Sequence, residues 1–469
     1  MRGSLVPGSL VLGSNRQLGT IGLVGGICGA YAALLIMVSA IFATAGSSSA
    51  GTGGLGAIFA VVSSVFIGIA LYVSAVVIVN CVDTVLAGML PRIALLRLLG
   101  SSASTLRTAV TRRAVGVAVA GGVAGTLVGI LASWVLRIVL VHEGVLKPLH
   151  YPVATGWLVV PIVAVAATTW VAGGVGTRGI LRASPAAGML GATVGAVTAA
   201  VRPLRGWLSL AVIGLGAALL GLSAWLGEAG GTPLGFMVAF LGAVTTGTGL
   251  LLGARLVIPA VVSGLGRLLG DGPSARIARR NAVTNPLRTT RSTMGLVIGV
   301  TLVTTFATGT DALRRSVHSW VTSAAQQKDT LSILSTVTVV LVVVILFSAA
   351  IAAVGFVSTM SLTVIERTRE IGVLRALGFT GSQVRRMVVL EAAALACSAI
   401  TFGVLLGLLF GSIGAQSLVG VHTHGFIWGR PWIVLGAIVA AALALVFVSS
   451  VAPARRAVSI SPAEALRSL

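Results

Sequence analysis

Ten stretches of about twenty apolar residues follow one another along this chain, separated by segments that hold most of its charged residues. Charged residues make up only 9% of the 469 residues, against about 25% in a soluble domain, so the chain cannot cover a water-exposed surface. A helix of about 20 apolar residues is long enough to cross a bilayer. We therefore predict an all-α integral membrane protein with about ten transmembrane helices. The predicted spans are residues 18–43, 56–80, 114–136, 153–174, 207–226, 233–254, 292–310, 333–358, 388–413 and 431–451.

The basic residues are distributed unevenly across this predicted topology. If the N-terminus is cytoplasmic, 26 of the 32 lysines and arginines fall in cytoplasmic segments, as the positive-inside rule requires. The net charge of +22 is thus explained by topology and by attraction to anionic lipid headgroups, and we expect no nucleic-acid partner. The basic residues predicted to lie outside are Arg137, Lys147, Arg314, Arg315, Lys328 and Arg430.

The balance of the two basic residue types gives a hint of the source. Thirty arginines stand against two lysines, which suggests a GC-rich bacterial genome. We therefore predict a multi-pass protein of the bacterial cytoplasmic membrane, with both termini cytoplasmic.

The sequence contains a tandem repeat. Residues 92–100 (RIALLRLLG) resemble residues 370–378 (EIGVLRALG) at an offset of 278, and residues 178–186 (RGILRASPA) resemble 455–463 (RRAVSISPA) at an offset of 277. Two motif pairs at nearly one offset predict a duplication, with spans one to four in the first copy and seven to ten in the second. Six spans separate the starts of the copies, and because this number is even, we predict parallel copies. The predicted units are a first unit at 1–190, a two-helix linker at 191–270 and a second unit at 271–469.

The cytoplasmic segment 362–386 of the second copy has the pattern of a helix, a sharp turn and a second helix. Apolar residues recur at helical spacing up to Leu377, and Gly378 is typical of the position that ends a helix. Thr380 and Gln383 have the spacing of a capping box, which predicts that a new helix begins there. An amphipathic segment at the membrane surface needs a partner, and these residues alone leave lipid headgroups and another protein open as alternatives.

The sequence ERTREIGVLRALGFTGSQVRRMVVLEA, which begins at Glu366, strongly resembles the signature of the FtsX-like permease domain. That group includes FtsX, MacB, LolC/LolE and BceB-type transporters. Residues 275–300 resemble the basic elbow segment before its first span, and the C-terminal APARRAVSISPAEALRSL resembles its end. The resemblance covers nearly all of 275–469 and, more weakly, about 18–190. It implies two FtsX-like permease units in one chain.

In that family the segment between the second and third spans is a coupling helix that docks on a separate ATPase subunit. The implied contact residues are Glu366, Arg369, Glu370, Ile371, Leu374, Arg375, Leu377 and Gly378, with the first-copy equivalents Arg92, Ile93, Leu96, Arg97, Leu99 and Gly100. The first copy departs from the pattern, because Arg92 replaces Glu370 and Pro91 interrupts the helix. We therefore expect the second copy to grip the ATPase more firmly.

The resemblance also implies a function, the permease subunit of an ABC transporter. Two copies of a separate ATPase would drive export or extraction of a hydrophobic or amphiphilic substrate, such as a lipid, lipoprotein, peptide or drug, by mechanotransmission. One alternative is a transmembrane signal transmitter that activates an extracytoplasmic enzyme, as FtsX does. Another is an ion-driven secondary transporter with parallel repeats. An extracytoplasmic protein is a further candidate partner, although the short predicted outer loops offer it little surface.

The residues that could carry chemistry within the chain itself are few. Lys147 and Lys328, its two lysines, lack the glycine-rich turn of a P-loop. We therefore expect a non-enzymatic subunit without catalytic or cofactor-binding residues, whose partner ATPase binds ATP and Mg. Some outer-loop side chains could in principle bind zinc, but their spacing fixes no geometry, and we predict no metal site. They are His142, Glu143, His150, His422 and His424.

Overall fold

The regular structure of the protein is helical wherever it can be described. The computed structural model describes residues 15–48, 55–89, 93, 95–96, 98, 101–142, 156–182, 203–230, 234–265, 280, 286–319, 338, 341–342, 345–350, 353–354, 356–357, 372–373, 375, 377–423, 425–441 and 443–445. Eight helices in this part of the chain are long and apolar enough to cross a membrane. The prediction of an all-α integral membrane protein is confirmed.

These eight helices correspond to predicted spans one to seven and nine. The two remaining predicted spans, 333–358 and 431–451, lie partly outside the described residues. Their described residues are helical from 338 to 357 and within the shorter apolar helix Trp432–Leu445. The long helices are α1 (Asn15–Ser48), α2 (Leu55–Gly88), α3 (Ala103–His142), α4 (Val159–Arg182), α5 (Pro203–Gly230), α6 (Leu234–Leu265), α7 (Pro286–Ser319) and α8 (Gly381–Val419).

The chain forms two compact units, residues 1–201 with 332–347 and residues 202–331 with 348–469. In the first unit, α1 packs against α2 and α3, and α4 packs against α2 and α3. In the second unit, α7 packs against α8, and the α5–α6 hairpin packs against α8. The hairpin of the predicted linker is therefore part of the second unit, in contact with the third span of the second copy. The linker boundaries at 191 and 270 stay a prediction.

Glycines bring the backbones of α1 and α3 into contact in the first unit. A Cβ atom at Gly125 would lie against the carbonyl oxygen of Gly26, and one at Gly129 would lie against Ala30 and Ala33. In lipid, where hydrophobic burial adds little to helix association, small residues let helices approach closely enough for van der Waals packing. Residues with side chains at these positions of α3 would force the two helices apart.

The second unit repeats this packing between α7 and α8. A Cβ atom at Gly403 would overlap Val300, and one at Gly407 would overlap Thr304. Gly403 and Gly407 follow Gly125 and Gly129 at the offset that separates the first pair of repeat motifs. In both copies, therefore, equivalent glycines of the third span lie in close contact with the first span.

We predict that Gly125→Ala and Gly407→Ala each destabilise the protein by about 2 kcal/mol, because an added methyl group overpacks a closed helix interface. The thermal unfolding midpoint in detergent should fall for both variants. Gly214→Ala in α5 is the matched control, because a Cβ atom there has nothing within 4 Å and alanine favours a helix over glycine by up to about 1 kcal/mol. Midpoints of the two test variants equal to that of the control would contradict the packing described.

Candidate functional site

The turn before α8 has the structure that its sequence predicts. The Leu377 N–H donates to the Val373 carbonyl oxygen at 3.0 Å, and the Gly378 N–H donates to the Arg375 carbonyl oxygen at 3.1 Å. Gly378 has a φ of 95°, in the left-handed region that glycine occupies without a Cβ penalty. The chain therefore ends one helical turn at Leu377 and changes direction at Gly378.

The cap of α8 confirms the predicted capping box. The Gln383 N–H donates to Thr380 Oγ1 at 3.3 Å, and the Thr380 N–H donates to Gln383 Oε1 at 2.9 Å. These two bonds satisfy N–H groups that a helix N-terminus otherwise leaves without partners. The Thr380 hydroxyl also bonds that of Ser382 at 2.9 Å. The direction of α8 is thus fixed at the residue where it leaves the turn.

The first copy contains an equivalent cap, which sequence reasoning missed. The Thr105 N–H donates to Ser102 Oγ at 3.2 Å, and the Ser102 and Ser104 hydroxyls are 3.2 Å apart. Ser102 is the repeat equivalent of Thr380, and α3 and α8 begin at the next residue in each case. The sequence signal that could have predicted this cap is the Ser-x-x-Thr motif, which stands in the first copy at the position of Thr-x-x-Gln in the second.

Apolar side chains are exposed on both turns. Leu377 is 74% exposed and Val373 42%, and in the first copy Leu95 is 52% and Leu98 56% exposed. By the predicted topology these residues lie at the cytoplasmic ends of the helices, where exposed leucines need a covering surface. Leu95 and Leu98 were not among the predicted contacts. Ile93, which was, is 3% exposed and packs inside the first unit.

The remaining predicted contact residues divide into two groups. Leu96 and Arg375 are half-buried. The other residues lie outside the described part of the chain, so their role in ATPase contact stays a prediction. They are Glu366, Arg369, Glu370, Ile371, Leu374, Arg92, Arg97, Leu99 and Gly100.

Two of the histidines considered as zinc ligands lie among the described residues. His142 is exposed at the end of α3, and His422 lies in the 3₁₀ turn after α8. Glu143, His150 and His424 lie outside the described residues. Among the residues that the structure describes, no group of three His, Cys, Asp or Glu side chains could hold a metal ion.

A buried glutamine organises the opposite end of α8. Gln416 is 2% exposed, and its amide nitrogen donates to Glu228 Oε1 of α5 at 3.0 Å and to Thr423 Oγ1 at 3.4 Å. Its amide oxygen accepts the Ile427 N–H at 3.4 Å. A buried amide with several partners fixes the segments that supply them. Gln416 thus joins the α5–α6 hairpin to the loop after α8.

The fold and these two turn segments define a polytopic α-helical membrane protein built from a repeated unit with a capped turn before the third span of each copy. Its sequence matches the FtsX-like permease C-terminal family twice, over residues 64–185 and 342–462, together just over half of the chain. The two matches start 278 residues apart and end 277 residues apart. These are the offsets of the first and the second motif pair, so the family match agrees with the predicted repeat. The chain belongs to the FtsX-like permease family.

Curated proteins that are named as permeases also resemble this chain. The uncharacterized ABC transporter permease MJ1507 of Methanocaldococcus jannaschii is 30% identical over 154 residues, 32% of this chain and 37% of that protein. A macrolide export ATP-binding/permease protein MacB of Shewanella is 28% identical over 161 residues, 34% of this chain and 22% of that protein. The ABC transporter permease YtrF of Bacillus subtilis is 35% identical over 71 residues, 15% of each chain.

The matched part of this chain spans 37% or less of the length of these relatives. Together, the family match and the eight long apolar helices make the chain a multi-pass membrane protein of the FtsX-like permease family.

We predict that Thr380→Ala and Ser102→Ala loosen the first turns of α8 and α3, because removal of an N-cap side chain costs about 1 kcal/mol. Hydrogen–deuterium exchange of the amides just after each cap should accelerate about fivefold. Thr401→Ala is the control, because its hydroxyl bonds the Cys397 carbonyl oxygen within the same helix. Unchanged exchange at both helix starts would show that these caps do not hold the turns.

Proposed function

We propose that the protein is the permease subunit of an ABC transporter, and that it moves a hydrophobic or amphiphilic substrate out of or across the membrane. A separate ATPase, present in two copies, would bind ATP and Mg and supply the energy. The turn segments 93–102 and 372–380 would be its docking points, one in each copy of the repeat. The substrate class remains a lipid, lipoprotein, peptide or drug.

The observation that carries this proposal is the pair of capped turns with exposed apolar side chains. Val373 and Leu95 occupy equivalent positions of the repeat and are both exposed, at 42% and 52%. Exposed apolar residues that cluster at the water-facing end of a membrane helix favour a protein partner, and a pair of them at the repeat offset favours two copies of one partner. This supports a protein ligand over simple anchoring in lipid.

The helices that follow the turns are suited to transmit motion. α8 has 39 residues and α3 has 40, so each is about 60 Å long at 1.5 Å per residue. Each begins at its capped turn and is in backbone contact with the first span of its copy through glycines. A displacement of the turn by the ATPase would therefore move a stiff helix whose far end lies on the other side of the membrane.

The two docking points should contribute unequally. The second copy carries Glu366, Arg369 and Glu370 before its turn, whereas the first copy has Pro91 and Arg92 in the matching stretch. Charged pairs add specificity around an apolar contact, and proline ends the preceding helix. The second-copy turn is therefore proposed as the main attachment point.

We predict that Val373→Asp weakens binding of the partner ATPase at least tenfold, because a buried apolar anchor at an interface is worth about 2 kcal/mol or more. Leu95→Asp, the equivalent change in the first copy, should have a smaller effect. Ser382→Asp is the control, because it adds the same charge to the exposed first turn of α8. The helix dipole stabilises a carboxylate at that position. Affinity is measured with the purified permease in lipid nanodiscs. Wild-type affinity of the Val373→Asp variant would contradict the docking assignment.

The transport step is tested separately, with the complex reconstituted in vesicles. We predict ATP-dependent movement of a labelled lipid or peptide, which is lost in the Val373→Asp variant. Movement that follows a proton or sodium gradient without ATP would instead favour the ion-driven alternative. Absence of movement, together with a bound extracytoplasmic enzyme, would favour signalling.

A further inference from the structure

Two arginines that the predicted topology places outside are bonded to the same carboxylate at the end of α7, Arg315 through its side chain and Arg430 through its backbone N–H. Asp311 Oδ2 accepts the Arg315 Nε–H at 2.9 Å and the backbone N–H of Arg430 at 2.6 Å. The Arg315 side chain is 45% exposed and that of Asp311 28%, and Arg430 is exposed. Most arginines of this chain lie on the predicted cytoplasmic side, so two that share one carboxylate on the other side call for a local explanation. Asp311 bonds the guanidinium group of Arg315, whereas its bond to Arg430 involves the backbone N–H and not the side chain of that residue.

The segment that carries Arg430 is held rigidly on the second unit. The Ile427 N–H donates to Gln416 Oε1 at 3.4 Å, and the Gly429 N–H donates to Ser412 Oγ at 3.2 Å. With the Arg430 N–H bound to Asp311, three backbone groups within this short segment are tied to α7 and α8. A binding segment that is ordered in advance loses less entropy when a ligand binds.

Aromatic side chains surround Arg430 along this segment. Phe426 and Trp428 contact each other edge to face, with ring centroids 5.0 Å apart, and they are 38% and 50% exposed. Beyond Arg430, Trp432 is 71% and Ile433 90% exposed. Tryptophan has an apolar ring and a polar N–H, and it concentrates at the level of lipid headgroups. The segment 425–433 therefore combines apolar rings with a guanidinium group in between.

We propose that segment 425–433 and the end of α7 form a binding site for an anionic phospholipid of the outer leaflet. Arg430 and Arg315 bind the headgroup phosphate, and Trp428, Trp432 and Ile433 contact the upper acyl chains. Guanidinium groups form paired, charge-assisted hydrogen bonds with phosphate oxygens. This inference deepens the proposed function, because it names an anionic amphiphile as the ligand class, and it rests on that function only for the step in which the ligand is moved.

The combination of groups favours a lipid over a soluble anion. A free phosphate ion would gain from the two arginines but nothing from three exposed apolar side chains next to them. A zwitterionic lipid would fill the aromatic surface but would offer less net charge to the arginines. The segment therefore selects a ligand with both a negative headgroup and hydrocarbon chains.

The test measures bound lipid on the purified full chain by native mass spectrometry, in detergent with equal amounts of phosphatidylglycerol and phosphatidylcholine. We expect Arg430→Gln to reduce retained phosphatidylglycerol about tenfold, as loss of one charge-assisted hydrogen bond predicts, and to leave phosphatidylcholine unchanged. The bond to Asp311 uses the backbone N–H of residue 430, so the substitution keeps it. Arg112→Gln removes another exposed arginine, on α3 in the first unit, and serves as the control for general headgroup attraction; it should reduce retained phosphatidylglycerol much less.

Two further measurements test the aromatic contact and the need for acyl chains. Trp432→Ala changes a side chain that is 71% exposed, so it should lower phosphatidylglycerol retention without affecting the fold. If Arg430→Gln lowers the unfolding midpoint, the Trp432→Ala variant alone tests whether this segment binds the lipid. Glycerol phosphate, the headgroup without acyl chains, should not displace the lipid at equal concentration. Wild-type retention in Trp432→Ala, an equal loss in Arg112→Gln, or displacement by glycerol phosphate would overturn the proposal.

These measurements use no ATPase, so their outcome is independent of coupling. Lipid selectivity without ATPase binding would leave this site in place and remove the proposed function. ATPase binding without lipid selectivity would do the reverse.

Discussion

The close contact between the first and third spans of each copy is the interaction on which the rest of this structure depends. In lipid, apolar side chains gain little by leaving the bilayer for contact with one another, so helices need close backbone approach or polar contacts to associate. Gly125 and Gly129 on α3, and Gly403 and Gly407 on α8, provide that approach. Because the contact leaves no room for a side chain, it also fixes how α3 and α8 are placed along their partner helices. The positions of the turns before these two helices, and of the loops after them, therefore depend on this contact.

Each end of α8 carries one of the features from which a role is proposed. The capped turn with exposed Val373 and Leu377 lies at one end, and Gln416 holds the Arg430 segment at the other. The α5–α6 hairpin joins this second end through Glu228, so it does more than connect the two copies. A single long helix thus links a proposed ATPase contact with a proposed lipid contact, which is the connection that the proposed mechanical coupling uses.

The features that the sequence predicted correctly are those that depend on local chemistry. Gly378 ends a helix because glycine adopts a positive φ without strain, and Thr380 and Gln383 cap α8 because their bonds close within a single helical turn. The repeat was visible because its motif pairs keep the same residues at one offset, and the family match has that offset too. None of these features requires knowledge of a distant part of the chain.

What could not be predicted depends on contacts between distant segments. The partner of Gln416 is Glu228, 188 residues away, and nothing near either residue indicates the other. Ile93 and Leu95 are both apolar and lie two positions apart, yet one is 3% exposed and the other 52%. Only the packing of neighbouring helices decides which of them a partner can reach.

The most direct test of the account follows the far end of α8 while the ATPase works. Cys28, Cys81 and Cys397 are replaced by alanine, and an environment-sensitive fluorophore is attached through Phe426→Cys in a nanodisc complex with the ATPase. Transmission of motion through α8 predicts a fluorescence change on ATP binding that reverses after hydrolysis and is absent when Val373→Asp is added. Constant fluorescence in a complex that binds and hydrolyses ATP would contradict transmission through α8.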